Sequence, residues 1–113
     1  MESIVRQSML YDFYGELLTE HQRTVYEDVV FHDLSLSEIA EEQGISRQGV
    51  HDLVRRCDRI LSGYEEKLHL ISKFEKTRRM VEEIHQKTRQ FKETRDERLL
   101  GEIEQISSEI MEL

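Results

Sequence analysis

Twenty-one residues, Leu36 to Arg56, limit what this chain can fold into more than any other feature. They read LSEIAEEQGISRQGVHDLVRR, two short helical patterns with a glycine between them. The first opens behind Ser35, whose hydroxyl can cap the helix while Glu38 reaches back from three positions on, the reciprocal capping box. Leu36, Ile39 and Ala40 fall on one face, and the small Ala40 lets a second helix cross closely. Gly44 ends the helix, because the residue after a helix often turns left-handed and only glycine does so without a Cβ penalty. Ile45 is expected to plug the turn, and Ser46 to cap a second helix that runs from Arg47. Val50, Leu53, Val54 and Cys57 recur at three- and four-residue spacing and so face inward together. Arg47, Gln48, His51, Asp52 and Arg55 are left outward. Two helices packed about a tight turn need the small residue, the glycine, the plug and the buried valine at these offsets. The pattern is that of a helix-turn-helix, whose second helix enters the major groove. An αα-hairpin that meets no DNA is the plainer reading.

The flanking sequence is helical as well. With 35% charged residues and no Pro or Trp, the chain is rich in strong helix formers and carries little strand signal, so the fold class is all-α. From Ser3, Val5, Met9, Leu10, Phe13, Tyr14, Leu17 and Leu18 repeat with helical period and predict a first helix to Leu18. Thr19 with Gln22 is a capping box for a second helix with apolar Val25, Val29 and Val30 flanked by Tyr26. His32, Asp33 and Leu34 connect it to the central motif. The second helix of that motif should reach Leu61, where Ser62 and Gly63, poor helix formers, predict a bend or break. Residues 1–62 therefore read as a helix-turn-helix domain and 63–113 as a helical tail.

In the tail, Leu68, Ile71, Phe74, Val81, Ile84 and Phe91 make a diluted stripe on a long helix. Thr94 with Glu97 predicts a turn near Glu93 and a last helix from Arg95. On it Leu99, Ile103, Ile106, Ile110 and Leu113 step by four and three, a heptad seam that needs a partner. That partner is the preceding helix folded back or a second subunit. Because the first four helices already supply a core, the homodimer is the favoured expectation.

Net charge is −8, whereas nucleic-acid-binding domains usually show a basic footprint. The distribution qualifies that number. Residues 1–45 hold two basic against ten acidic residues, but residues 46–60 hold four arginines against two aspartates. The second helix of the motif is the positive island, and the surrounding acid should make any DNA affinity salt-sensitive. Lys67 to Arg98 holds ten basic against six acidic residues, and Leu99 to Leu113 none against four.

Other chemistry finds little support. The five glycines are isolated, so there is no phosphate-cradling loop, and the five histidines lack ligand partners at metal spacing. Neither metal nor cofactor is expected. The many carboxylates read as wet helix faces without a positioned nucleophile, which argues against an enzyme. Single Cys57 reads as packing. A polar, acidic start and the lack of an apolar run near the ~20 residues of a membrane span predict a cytoplasmic protein.

Residues 35 to 56, SLSEIAEEQGISRQGVHDLVRR, resemble the last helix-turn-helix region of bacterial sigma-70-type factors, within the winged-helix-like DNA-binding superfamily. Residues 13 to 70, FYGELLTEHQRTVYEDVVFHDLSLSEIAEEQGISRQGVHDLVRRCDRILSGYEEKLHL, resemble more closely the YlxM-type proteins of Gram-positive bacteria. The resemblance implies a DNA-binding regulatory protein, with a part in the signal recognition particle pathway through its GTPase or RNA. It places recognition on Ser46, Arg47, Gln48, His51, Asp52 and Arg55, to which the positive island adds Arg56. Two positions depart from the pattern. Gly49 stands where alanine is usual, which should loosen the first turn by up to about 1 kcal/mol, and His51 stands where tyrosine is common. Duplex DNA is the expected partner, and a particle adaptor or a purely structural dimerisation module are its rivals.

Overall fold

The central motif sets the order of the helices around it. A computed structural model describes residues 3–113, so Met1 and the acidic Glu2 of the polar start lie outside the described residues. Among the described residues the regular elements are α1 (Ile4–Tyr14), a 3-10 turn (Gly15–Leu17), α2 (Glu20–Val30), α3 (Leu36–Gln43), α4 (Arg47–Leu68), α5 (Leu70–Thr94) and α6 (Arg98–Met111). No strand occurs among them, and the all-α class stands. The chain divides into two compact units, Met1–Ile71 and Ser72–Leu113.

In the first unit α4 is the element on which α1, α2 and α3 pack. One apolar cluster joins Leu10 and Tyr14 of α1, Val25 and Tyr26 of α2, and Ile39 and Ala40 of α3 to Val50, Val54, Cys57 and Leu61 of α4. The reciprocal capping box forms at Thr19 and Gln22, with bonds of 3.0 and 3.2 Å. The first helix is shorter than its periodicity predicts. It stops at Tyr14, and a Cβ on Gly15 would stand 2.8 Å from the Tyr11 ring, so the backbone can draw in there only because no side chain is present. The stripe is also narrower, since Val5 and Leu17 are exposed. Leu18 turns extended, remains buried, and hands the chain to α2.

The break expected at Ser62–Gly63 does not occur. α4 runs unbroken from Arg47 to Leu68 and ends at His69, which takes the left-handed conformation at φ 56°. Packing overrides propensity: Leu61 and Glu65, on either side of the weak pair, are buried and hold the helix straight through it. Glu65 Oε1 accepts from the Tyr14 hydroxyl at 2.6 Å and from the Ile71 amide at 2.9 Å. The Tyr14 oxygen accepts in turn from the Leu70 amide at 3.2 Å. The first amide donors of α5 are thus satisfied by one buried carboxylate and one buried phenol.

The second unit is an antiparallel hairpin of α5 and α6. Its turn differs from the one predicted. Thr94 donates to the Gln90 carbonyl and closes α5, and Arg95 turns left-handed at φ 58°. Asp96 rather than Thr94 then receives the Arg98 amide, at 3.0 Å, and its carboxylate also takes two bonds from the Arg98 guanidinium. α6 therefore starts at Arg98 and not at Arg95. The heptad seam closes within the chain. Ile106 is buried, Leu99, Ile103 and Ile110 are half-buried, and only Leu113 at the end is exposed. Lys87 Nζ reaches Glu102 Oε2 at 3.0 Å across the two helices. The seam thus gives no argument for a homodimer, because α5 of the same protomer covers it.

Candidate nucleic-acid interface

The turn between α3 and α4 has the glycine geometry that the sequence requires. Gly44 is left-handed at φ 67°. Its amide reaches the Glu41 carbonyl while the Ile45 amide bonds the Ala40 carbonyl at 3.1 Å, the paired Schellman arrangement that satisfies the last carbonyls of α3. Ile45 itself is exposed and does not plug the turn. Ser35 Oγ accepts from the Glu38 amide at 3.1 Å, and Ser46 Oγ from the Gly49 amide at 2.9 Å. Each hydroxyl satisfies a donor that helix geometry would leave orphaned.

From this cap α4 presents one buried and one open face. Val50, Val54 and Cys57 are buried with Leu53 packed beside them. Arg47, Gln48, Asp52, Arg55 and Arg56 are exposed, and His51 is half-buried. Arg47, Gln48 and His51 line a shallow concavity closed on the α3 side by Leu36. Within it Gln48 Nε2 donates to Asp52 Oδ1 at 2.9 Å, one helical turn on, so the amide carbonyl of Gln48 is turned to solvent as an acceptor. His51 Nδ1 lies 4.0 Å from the same carboxylate, shut off from solvent and without a hydrogen bond. Ser46 is exposed, but its oxygen is occupied as the cap, so among the predicted residues it positions the helix. The structure brings Arg47, Gln48, His51 and Asp52 together over the first turns of α4, with Arg55 and Arg56 following along the helix.

Gly49 sits inside this first turn. A Cβ there would approach Ser46 Oγ to 3.2 Å, so the missing methyl leaves room for the cap as well as costing helix propensity. On α3, Glu38, Glu41 and Glu42 are exposed and line a depression with Leu34. In helix-turn-helix docking the first helix crosses the phosphate backbone, and three carboxylates on it oppose loose phosphate contact.

Two residues that hold α4 in place were hidden in the sequence. Asp58 is buried and accepts from Gln7 Nε2 at 3.1 Å and from the Tyr26 hydroxyl at 2.7 Å, and Glu65 is buried as described. The reading of the carboxylates as wet helix faces does not hold for these two. The periodicity of α4 contained the signal, because Val50, Val54, Cys57, Asp58, Leu61 and Glu65 continue one inward face.

The capped turn, the buried valine and the outward polar face define a protein of the helix-turn-helix class, extended by a helical hairpin. Its residues 1–101 match the model of the family described as "UPF0122: Putative helix-turn-helix protein, YlxM / p13 like", and the chain belongs to that family. It is 44% identical over 84 residues to a UPF0122 protein of Shouchella clausii (strain KSM-K16), covering 74% of this chain and 77% of that one. It is likewise 44% identical over 86 residues to UPF0122 proteins of Bacillus cereus (strain AH187) and Bacillus thuringiensis subsp. konkukian (strain 97-27), covering 76% of this chain and 78% of theirs. The match runs well past residue 70, so α5 and the start of α6 belong to the family pattern along with the helix-turn-helix. No helix among the described residues is long and apolar enough to cross a membrane.

Proposed function

We propose that this protein is a DNA-binding regulator that reads duplex DNA in the major groove with the first half of α4. The observation that carries the reading is the solvent face of that helix. Its N-terminal turns expose Arg47, Gln48 and Asp52 beside His51, while the opposite face is locked into the core. Arg47 suits a guanine edge, where a guanidinium meets two acceptors, and the outward carbonyl of Gln48 suits an exocyclic amino group. Arg55 and Arg56 supply phosphate contacts farther along, and the carboxylates of α3 suppress binding that is not sequence-specific.

The test is selection of duplexes from a random library, followed by affinity measurement on the best sequence with the parent protein and with Arg47→Ala. A recurrent motif and a loss of at least about 1 kcal/mol, some fivefold in affinity, are expected. Equal affinity in the two proteins would overturn the reading. Recovery of the signal recognition particle's GTPase or RNA from a native lysate, with no duplex motif, would favour the adaptor role instead.

A further inference from the structure

The hairpin of α5 and α6 has two long sides, and they differ in chemistry. One side is a charged groove lined by Glu83 and Lys87 of α5 and by Arg98, Glu102, Gln105 and Glu109 of α6. Helical periodicity fixes what lies on the other. Val81 of α5 and Leu100 and Met111 of α6 fall there, and they are exposed by 51%, 48% and 85%. Phe74 continues the row on α5, 48% exposed. Between Leu100 and Met111 stand Glu104 and Ser107, and beyond Val81 stand His85 and Arg89, all exposed. On α6 the row steps by four, three and four, and on α5 Phe74 and Val81 stand seven apart, so each helix has a second, partly apolar face separate from the seam that closes the hairpin.

From this face we infer that the hairpin pairs with a second copy of itself to form a four-helix bundle, in which α5 of each protomer lies over α6 of the other. Charge selects both the occupant and the arrangement. α5 carries seven basic against four acidic residues, and α6 one basic against three acidic. A two-fold axis parallel to the helices sets each basic α5 over the other copy's acidic α6, antiparallel to it. An axis across the helices would set α5 over α5, like charge on like. The Lys87–Glu102 pair fixes the register within the hairpin, and a parallel axis preserves it between copies. Ser107 then lies within one residue of the level of Val81 of the second copy and leaves room for it. Glu104 lies level with the second copy's His85, within one helical turn of its Arg89. The pairing is isologous, so each contact occurs twice.

This pairing rests on the hairpin alone and stands or falls without any nucleic acid. Sedimentation equilibrium of the full chain at low salt, without DNA, is expected to show a dimer. Val81→Glu with Met111→Glu should yield a monomer of unchanged helical circular dichroism. Glu104→Arg should weaken the dimer at least tenfold, and adding His85→Glu with Arg89→Glu in the same chain should restore it, because the charges are exchanged and not removed. Should the double apolar variant fail to fold, the charge exchange still decides the matter. A monomer at 100 times the protein concentration used for DNA selection would overturn the inference and leave the face to a different protein. A dimer indifferent to Glu104, His85 and Arg89 would overturn it as well.

Discussion

Two buried carboxylates carry the residue-scale physics of this protein. Asp58 and Glu65 sit on the inward face of α4 and are satisfied by Gln7, Tyr26, Tyr14 and the Ile71 amide. A buried acceptor that loses its partners, or donors that lose their acceptor, cost far more than the bond itself contributes. Asp58→Ala removes the buried acceptor shared by the Gln7 amide and the Tyr26 hydroxyl, and should lower stability by about 2–4 kcal/mol, read as a shift of the urea midpoint at unchanged slope. Two further groups bear on alkaline behaviour. Burial pushes the Cys57 thiol up to about 11, and burial followed by the Glu65 hydrogen bond raises Tyr14 above 10.0. Each group holds its proton more firmly folded than unfolded. Their contribution is complete below the ordinary values and is lost as pH rises through the folded ones. Stability should therefore fall from about pH 9 to 11. Urea midpoints constant across that interval would contradict the assignment.

At the scale of the element, α4 is one helix of 22 residues that first presents a polar face to solvent and then anchors the core. Its start depends on Ser46, whose hydroxyl holds the Gly49 amide. Ser46→Ala should cost about 1 kcal/mol of stability and fray the first turn, seen as faster amide exchange at Gly49 and Val50 with the core amides unchanged. This part was legible from sequence because caps and turns are local: Ser35, Gly44 and Ser46 act on neighbours within three residues. Ser62 and Gly63 misled for the opposite reason. Their propensity is also local, but the residues that overrule it, Leu61 and Glu65, act through partners as distant in sequence as Tyr14. Thr94 misleads because its hydroxyl donates to the Gln90 carbonyl and accepts from the Asp96 amide, which leaves the Asp96 carboxylate to take the Arg98 amide.

For the whole molecule, the proposed DNA binding turns on the division of charge. A chain of net charge −8 repels duplex phosphate except where the α4 arginines approach it. If Arg55 and Arg56 each neutralise a phosphate, the logarithm of affinity should fall against the logarithm of salt with a slope of about −1.8 per protomer. Titrations at several salt concentrations would read that slope directly, and a value near zero would exclude phosphate contact. The fold class and the capped turn could be read from spacing, as could which face of α4 is open. How the tail closes could not, since the Leu99–Leu113 seam fits a second subunit as well as α5. The Asp96 turn and the Lys87–Glu102 pair bring α6 back along α5, so that the seam closes there.

The separation of the two faces of α4 bears on folding as well as on binding. No residue of its open face shares in the apolar cluster, and the cap below it is held by Ser46 and the Gly49 backbone. Arg47, Gln48, His51, Asp52 and Arg55 can therefore be exchanged at little cost to folding. Under the proposed reading, the surface that meets DNA can thus change without disturbing the buried face that holds the helix in place.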